Sequence, residues 1–397
     1  MRNTFDKYMD YVAPTEPPTI FHKWVFLSVI SSVTLKRVWI HLGGLRVWGN
    51  LYVGLVGPSG VRKSTAISHG EKFLTPLHIR KVPDAVSGWQ GFIGLVKSMI
   101  NTYHLPVIGK KDVHPITIFS KELKVFLQND IQLMASLTDI FDADDTWGYW
   151  SNMRELDSLS YPSVTFLGAT APDWIQTMLP TQAIGGGFTS RFIWVHAGKK
   201  VQTAPDPQLD PKLKDEINKD LRKVRAAMGE SQLEPPARQW YDAWYRAEDQ
   251  RESLLGPRFD GYASRRAMYL RKVSSLRALG RAGSLKVTIG DLEWALALLL
   301  EVEEYMPSVF AGMGTSPLAD LTYRVAQEIA RVGTTTEEAL LTRFEYDLDA
   351  RRLHSVLDTL KRQGVITVTG GGKPTKCSPT CRPDPKCGCT ARRTATP

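Results

Sequence analysis

The sequence predicts an α/β fold: a parallel sheet flanked by helices, followed by a helical subdomain and a small domain with a β-wing. Three observations support this prediction. The apolar run 51–56 is nearly continuous, which is typical of a central parallel strand that is buried on both faces. A loop with Gly and Pro and a helical pattern over 65–73 follow it directly. Further apolar runs of strand length occur at 116–119, 164–170 and 193–195.

The loop after the first strand reads GPSGVRKST over 57–65 and matches the phosphate-binding pattern G-x-x-x-x-G-K-[ST], except that Arg62 replaces its second glycine. Such a turn lets backbone N–H groups converge on phosphates, and the following helix adds its positive N-terminal end. We expect Lys63 to reach the β- and γ-phosphates of ATP and the Ser64 hydroxyl to bind Mg²⁺. The predicted nucleotide-binding residues are Gly57, Pro58, Ser59, Gly60, Val61, Arg62, Lys63, Ser64 and Thr65. The alternative is an ordinary Gly/Pro turn between a strand and a helix.

Two of the other predicted strands end in candidate catalytic residues. Run 116–119 is followed by Ser120, Lys121 and Glu122, where P-loop ATPases carry Asp-Glu beside the phosphate loop. Glu122 is expected to polarise the attacking water, whereas Lys121 replaces the aspartate of the Mg²⁺ shell. Thr170 stands where a sensor of the γ-phosphate is expected. The alternatives are a helix-start carboxylate for Glu122 and a helix cap for Thr170.

Changes in composition divide the chain into five regions. These are a helical preface (1–48), the core with the phosphate-binding pattern (49–202), a charged helical subdomain (203–312), a small domain (316–371) and a basic tail (372–397). In the subdomain, Arg265, Arg266 and Arg271 either reach back toward a nucleotide or lie on solvated helix faces, which their charged surroundings favour.

Three segments of the core have weaker patterns. Residues 78–82 are predicted as a strand and 102–114 as a polar loop. Segment 141–162 is aromatic and either stacks on single-stranded bases or packs as a hairpin against the core. Its candidate residues are Trp147, Tyr149, Trp150 and Arg154.

The small domain has a pattern of its own. Thr334–Glu337 matches a helix capping box, a helix is predicted over 349–362, and 365–368 begins a β-wing after Gly364. Three helices and a wing resemble the winged-helix family, which often places its third helix in the major groove of DNA. The residues that this helix would offer to DNA are Arg351, Arg352, Ser355 and Lys361. Many such domains bind only proteins, which is the alternative.

The charge of the chain is concentrated at one end. The net charge is +9, and residues 373–397 carry +5 of it, from six Lys or Arg and one Asp. A basic tail is typical of binding to nucleic acid or another polyanion, although a merely solvated tail is equally compatible. No apolar run reaches membrane-spanning length, and the first ten residues lack a signal-peptide core, so we expect a cytoplasmic protein with no membrane partner.

All four cysteines lie in this tail, so disulfides do not hold the core together. They are Cys377, Cys381, Cys387 and Cys389, in the spacing C-x3-C-x5-C-x-C. Four thiolates fit a zinc site, but paired C-x2-C knuckles would be a stronger signal. The alternative is a disordered tail with free thiols.

Three stretches together carry a resemblance to a family: NLYVGLVGPSGVRKSTA (50–66), VTFLGATAPDW (164–174) and IGGGFTSRF (184–192). They resemble a P-loop ATPase family of phages and bacteria that is often joined to, or encoded beside, primases. Arg62 before Lys63 resembles a variant of this family. The likeness covers about 5–200, and it implies an ASCE-type, AAA+-like core with a helicase-type role in DNA replication.

In AAA+-like ATPases, an arginine in the position of Arg191 is offered to the active site of the neighbouring subunit, where it stabilises charge on the γ-phosphate. The alternative is a surface arginine that closes a loop. An arginine that acts in the active site of a neighbouring subunit, called an arginine finger in trans, implies a homo-oligomer such as a ring.

Two functions therefore remain open. The first is a DNA-dependent ATPase, a motor or remodeller on single-stranded or forked DNA, with a primase as a potential partner. The second is a nucleotide-switched loader or regulatory scaffold with slow hydrolysis, which Lys121 favours. A small-molecule nucleotide kinase is a weak third interpretation, because nothing resembles an acceptor-binding lid.

Overall fold

The computed structural model describes residues 2–105, 109–142, 145–151, 155–172, 174–175, 187–249, 259–310, 318–345, 347–369 and 376–379. The chain divides into two compact units, Met1–Val309 and Phe310–Pro397. The predicted preface, the core and the helical subdomain as far as Val309 lie in the first unit, and the small domain and the tail lie in the second.

The first half of unit one contains these described elements in chain order: α1 (Thr4–Val12), α2 (Thr19–Thr34), β1 (Val38–Leu42), β2 (Leu45–Trp48), β3 (Tyr52–Val56), α3 (Lys63–Glu71), α4 (Gly88–Lys97), β4 (Asn101–Leu105), β5 (Gly109–Ser120), α5 (Leu123–Leu127), α6 (Ile131–Ile140), β6 (Thr146–Ser151), β7 (Glu155–Ser160), β8 (Pro162–Thr170) and β9 (Phe192–His196). Short 3-10 turns lie at Thr75–Leu77 and Thr189–Arg191.

The second half of unit one is mainly helical. Its described elements are α7 (Pro211–Ala226), β10 (Gly229–Glu230), β11 (Gln232–Leu233), α8 (Pro235–Asp249), α9 (Asp260–Ala263), α10 (Arg266–Leu279), β12 (Lys286–Val287) and α11 (Ile289–Val309). Among the two-residue strands, β10 pairs in parallel with β1 and so joins this half to the first half, and β11 pairs in parallel with β12 within this half.

The central sheet of unit one has five strands in the order β4-β5-β8-β3-β9. β5, β8, β3 and β9 are parallel, and β4 is an antiparallel edge strand. All four parallel strands were predicted, and the α/β prediction is confirmed. Two local predictions are wrong. The segment 78–82 forms only an isolated parallel bridge from Lys81 to Thr117, and 102–114 forms β4 and the start of β5 instead of a loop.

Helices cover both faces of this sheet, which explains why its strands are apolar throughout. On one face, α2 and α3 pack so closely that a Cβ on Gly70 would lie 2.4 Å from Val25. On the other face, α5 and α6 pack against β8, and the Tyr52 hydroxyl donates to the Leu137 carbonyl of α6 at 2.7 Å. α2 is buried along nearly its whole length, so the predicted preface is part of the core.

Unit two consists of three helices and a small antiparallel sheet. Its described elements are α12 (Ala319–Val332), β13 (Thr335–Thr336), α13 (Glu337–Arg343), α14 (Ala350–Arg362), β14 (Ile366–Thr369) and β15 (Lys376–Pro379). The strand order is β13-β15-β14. Apolar residues from all three helices and from β14 form one core, which includes Val325, Leu340 and Leu357. β15 lies within the segment 372–397 that the sequence assigns to the tail.

Candidate phosphate site at the carboxyl edge of the sheet

The carboxyl ends of the parallel strands meet at one edge of the sheet. Val56, at the end of β3, is in register with Thr170 of β8 and with His196 of β9. The Gly57 N–H donates to the Thr170 carbonyl at 3.3 Å, so the loop after β3 begins directly beside the end of β8. Open α/β sheets bind their ligands at this edge, where connections leave in opposite directions.

Residues 57–62 form a tight loop between β3 and α3. Gly57 has no room for a side chain, because a Cβ there would lie 2.3 Å from the Ala197 carbonyl oxygen. Gly60 and Arg62 both have positive φ, at +85° and +68°. Arg62 is the residue before α3, and its side chain does not cap the helix. The backbone N–H groups of the first turn of α3 are therefore not satisfied by this side chain, as in helices that bind anions.

Lys63 folds back over this loop. Its Nζ donates to the carbonyl oxygens of Gly57 at 2.6 Å and of Pro58 at 2.9 Å. Burial lowers the pKa of Lys63, and the nearby charge of Glu122 acts in the opposite direction. The ammonium thus lies over the strand-to-helix loop and within electrostatic reach of Glu122.

Glu122 and Ser64 lie beside the lysine. The Ser64 hydroxyl faces the Lys121 carbonyl oxygen at 3.5 Å, which connects the start of α3 to the end of β5. Glu122 is exposed and precedes α5, but its side chain makes no capping hydrogen bond with that helix. The helix-start alternative for Glu122 therefore has no hydrogen bond to support it. The Lys121 ammonium is 3.1 Å from the Glu71 carboxylate.

Thr170 lies at the same edge but is buried, and its hydroxyl donates to the Ala171 carbonyl at 3.2 Å. β8, which carries Thr170, lies between β3 and β5. The strand that ends in Glu122 is therefore not adjacent to the strand of the loop, in contrast to the expectation from sequence. The structure brings Lys63, Ser64, Glu122 and Thr170 to one edge through three different strands.

Glu16 holds this loop from outside the motif. One carboxylate oxygen accepts from the Arg62 Nε at 2.5 Å, and the other accepts from the Lys200 Nζ at 2.7 Å and from the Ala204 N–H at 3.2 Å. The hydrogen bond from Lys200 is the main cause that lowers the pKa of Glu16 to about 2. Sequence reasoning missed Glu16, because nothing in the proline-rich segment around it indicates a contact with the loop.

Arg191 lies at the opposite, amino edge of the sheet. It immediately precedes Phe192, which is in register with Tyr52 at the start of β3. Its guanidinium is 2.7 Å from the Asp142 carboxylate, donates to the Gly187 carbonyl at 2.9 Å and lies near the Phe141 ring. The structure therefore does not bring Arg191 together with Lys63 within one chain.

The structure corrects the predicted exposure of two arginines of the helical subdomain. The interpretation of Arg266 and Arg271 as solvated surface residues is wrong, because their exposed fractions are only 7% and 2%. Arg266 pairs with Glu248 and Glu303 at 2.5 and 2.7 Å. The Arg271 guanidinium lies 5.3 Å from the centre of the Tyr241 ring, and burial lowers its pKa to about 10. The charged residues of α10 predicted a solvated helix, whereas the structure buries most of the residues of this helix.

A buried lysine of α10 also reaches the amino edge. The Lys272 Nζ donates to the backbone and side-chain oxygens of Asn50 at 2.9 and 3.0 Å, and it lies 4.4 Å from the centre of the Phe141 ring. Burial lowers the pKa of Lys272 to about 7. The residue contacts the start of the β3 segment, opposite to the loop.

The other predicted sites lie in unit two. α14 buries Leu353 and Leu360 and exposes the predicted DNA contacts, which are Arg351, Arg352, Ser355 and Lys361. The backbone of Cys377 is part of β15, whereas Cys381, Cys387 and Cys389 lie outside the described residues. The backbone of Trp150 is part of β6, whereas Arg154 lies outside the described residues. Tyr149 lies on the β6–β7 hairpin, and its ring packs edge-on against Trp89 at 4.4 Å, which agrees with the hairpin alternative.

Among the described residues, no group of three or more His, Cys, Asp or Glu side chains is placed to hold a metal ion. None of the helices that the structure describes is long and apolar enough to cross a membrane. Comparison with protein-family models and with curated proteins finds no match.

Proposed function

We propose that the chain is a P-loop ATPase of the ASCE, AAA+-like type that acts on DNA in a helicase-type role in replication. The observation that carries this proposal is the meeting of Lys63, Ser64 and Glu122 at the carboxyl edge of β3 and β5. The position of β8 between these two strands supports it further, because an additional strand between the loop strand and the glutamate strand is what the ASCE name describes.

The residues at this edge fit a nucleoside triphosphate and Mg²⁺. The loop offers backbone N–H groups and a lysine to phosphates, and Ser64 offers a hydroxyl to the metal ion. Mg²⁺, when bound, would neutralise charge on the phosphate oxygens. Lys63 would exchange the carbonyls of Gly57 and Pro58 for phosphate oxygens, and Glu122 would orient and polarise the attacking water.

Binding of MgATP tests this proposal at its first step. Lys63→Ala should abolish binding of a fluorescent ATP analogue while the circular dichroism spectrum remains that of the wild type. Lys72→Ala removes an exposed lysine just after the same helix and serves as the matched control. Equal affinity in the wild type and in Lys63→Ala would refute the assignment.

A second function, a nucleotide-switched loader or scaffold, is favoured by Lys121. This residue places an ammonium, paired with Glu71, where a carboxylate of the metal shell is expected. Tight ATP binding with negligible turnover, with or without single-stranded DNA, would support the second function over the first.

Unit two fits a winged-helix domain that binds DNA. Its helices and strands follow in the order helix, strand, helix, helix and two wing strands, and α14 exposes four Lys or Arg residues, among them the predicted DNA contacts Arg351, Arg352 and Lys361, together with Ser355. The four cysteines remain candidates for zinc, and metal analysis of the intact protein tests this idea, because a zinc content well below one per chain would reject it. A homo-oligomeric ring, a primase partner and a cytoplasmic location remain part of the proposal.

A further inference from the structure

A second surface of unit one carries basic and aromatic side chains in alternation. Arg37 stacks on Tyr103, with its guanidinium carbon 4.2 Å from the ring centre. Tyr103 is the cross-strand partner of Lys111, and the Lys111 ammonium lies 5.7 Å from the ring of Tyr161. These four residues are partly exposed.

The series continues beneath the surface. Lys36 lies between the rings of Tyr161 and Trp48, at 5.5 and 4.3 Å. Trp48 packs edge-on against Trp39, and the exposed Arg46 lies 5.5 Å from the Trp39 ring. We call this the cation–ring series: Arg37, Tyr103, Lys111, Tyr161, Lys36, Trp48, Trp39 and Arg46.

The series lies at the amino edge of the central sheet, away from Lys63. Tyr161 immediately precedes β8, and Lys111 lies in the part of β5 before its parallel pairing with β8 begins at His114. The proposed ATP site and this surface therefore lie at opposite edges of the same sheet.

The charge of this surface is not neutralised by neighbouring carboxylates. Among the described residues, Arg46 and Lys111 have no carboxylate within ion-pair distance. The Glu230 carboxylate lies 2.9 Å from the His41 Nδ1, and the Arg37 guanidinium donates to the Arg225 carbonyl oxygen. Asp112 and Lys110 lie on the other face of β5, because side chains alternate along a strand.

We propose that the exposed and partly exposed members of the cation–ring series, which are Arg37, Tyr103, Lys111, Tyr161 and Arg46, form a binding surface for single-stranded nucleic acid. Partly exposed rings supported by cations offer stacking faces to unpaired bases, and Arg46, Arg37 and Lys111 offer charge to phosphates. In a duplex the bases are paired and stacked on one another, so a duplex would bind only through the basic side chains of this surface. The proposal rests on the proposed function and deepens it, since it names the class of partner that unit one binds. Binding of the oligonucleotide can nevertheless be measured in the absence of ATP.

The test is the affinity of nucleotide-free full-length protein for labelled oligo(dT) and oligo(U) as a function of salt. Arg46→Gln/Lys111→Gln should weaken binding about tenfold and reduce the salt slope by about 1.4, because each phosphate bound on a single strand contributes about 0.7. Lys110→Gln/Lys212→Gln removes two exposed lysines, one of them on the other face of β5, and should bind like the wild type.

The rings are tested separately. Tyr103→Leu/Tyr161→Leu keeps every charge and should weaken oligo(dT) binding by about fivefold or more for each ring removed, with an unchanged salt slope and an unchanged affinity for duplex DNA. Tyr245→Leu, at an exposed tyrosine of α8, is the matched control.

Several results would overturn the proposal. These are equal affinities of the Arg46/Lys111 variant and its control, an equal reduction of duplex DNA binding in the tyrosine variant, or complete competition by polyglutamate at matched charge. Basal ATP turnover without DNA should be the same in all these variants. A protein without ATPase activity that still shows the predicted binding defects would contradict the proposed function and leave this proposal supported.

Discussion

The Glu16 carboxylate accepts a hydrogen bond from the Arg62 Nε at 2.5 Å and thereby ties the preface to the loop before α3. Arg62 adopts a left-handed conformation, with φ of +68°, in the place where the motif expects glycine. This conformation costs a non-glycine residue about 1–2 kcal/mol, and the ion pair with Glu16 offsets part of that cost. The Glu16 contact is thus a physical reason why arginine is tolerated at this position.

Glu16→Gln should weaken ATP binding several-fold, because it releases Arg62 and Lys200 together and loosens the loop. Overall stability should change little. Titration with a fluorescent ATP analogue measures the effect, and Glu338→Gln, at an exposed residue of unit two, is the control. Wild-type affinity in Glu16→Gln would show that the loop holds its conformation without this contact.

A buried histidine pair should make unit one sensitive to acid. His22 bonds with Tyr8 and Thr15, and its ring centre lies 5.8 Å from that of His69 of α3. Burial lowers the pKa of His22 to about 3 and that of His69 to about 4. The unfolded chain binds protons near pH 6.5, so stability is complete above that pH and is lost as the pH falls toward 4 and then 3.

Urea unfolding monitored by tryptophan fluorescence at pH 7.5 and 4.5 measures this decrease in stability, which we expect to be about 5 kcal/mol for the two histidines together. His69→Gln should reduce the difference between the two pH values, whereas His354→Gln, at an exposed histidine of unit two, should not. A pH dependence that is identical in all three proteins would rule out the pair as its source.

The central strands were predictable from sequence, because residues such as Val53 and Leu55 are buried on both faces and form an apolar run that needs no knowledge of the partners. The Lys63 loop was predictable for a similar reason, since its motif is contiguous. The Glu16 contact was not predictable, because 46 residues separate it from Arg62 and the fold alone brings them together.

Two predictions from the sequence, the loop over 102–114 and the exposure of two arginines, were wrong for related reasons. The strands over 102–114 were missed because an edge hairpin exposes polar residues such as Lys110 and Asp112, which resemble those of a loop. Arg266 and Arg271 were predicted to lie on the surface because the sequence shows which residues are charged but does not show which groups contact them in the fold. In the structure, two carboxylates pair with the buried Arg266, and the Tyr241 ring lies beside Arg271, whose Nε and Nη1 have no hydrogen-bond partner among the described residues.

Arg191→Ala should bind ATP normally but hydrolyse it poorly, because its guanidinium is far from Lys63 in the same chain and would act on a neighbouring subunit. A finger of this kind contributes roughly 10³–10⁵ to the rate. Mixing Arg191→Ala with Lys63→Ala should restore part of the activity, since one mixed interface pairs an intact Lys63 with an intact Arg191.

Phosphate release by the mixture, at concentrations where the two variants are shown to co-assemble, is the measurement. Arg265→Ala changes a neighbouring arginine that also contacts the 3-10 turn, through Ser190, and serves as the control. Full activity of the wild-type monomer at high dilution would contradict a finger in trans.

Arg351→Gln/Arg352→Gln/Lys361→Gln should weaken binding to duplex DNA and reduce its salt slope by about 0.9 for each phosphate that the helix no longer binds. All three side chains are exposed on α14, so the fold of unit two should be preserved. Fluorescence anisotropy at several salt concentrations measures the effect. Arg331→Gln, on α12 and paired with Glu328, is the control. An unchanged salt slope in the triple variant would exclude α14 from the DNA interface.

The most direct test of the account is the steady-state release of phosphate from MgATP by the wild type, Lys63→Ala and Lys72→Ala, each with and without oligo(dT). We predict turnover by the wild type and Lys72→Ala that oligo(dT) stimulates, and a decrease of at least about 10²-fold in Lys63→Ala. Turnover in Lys63→Ala that equals the wild type would contradict the assignment of the carboxyl edge as the ATP site.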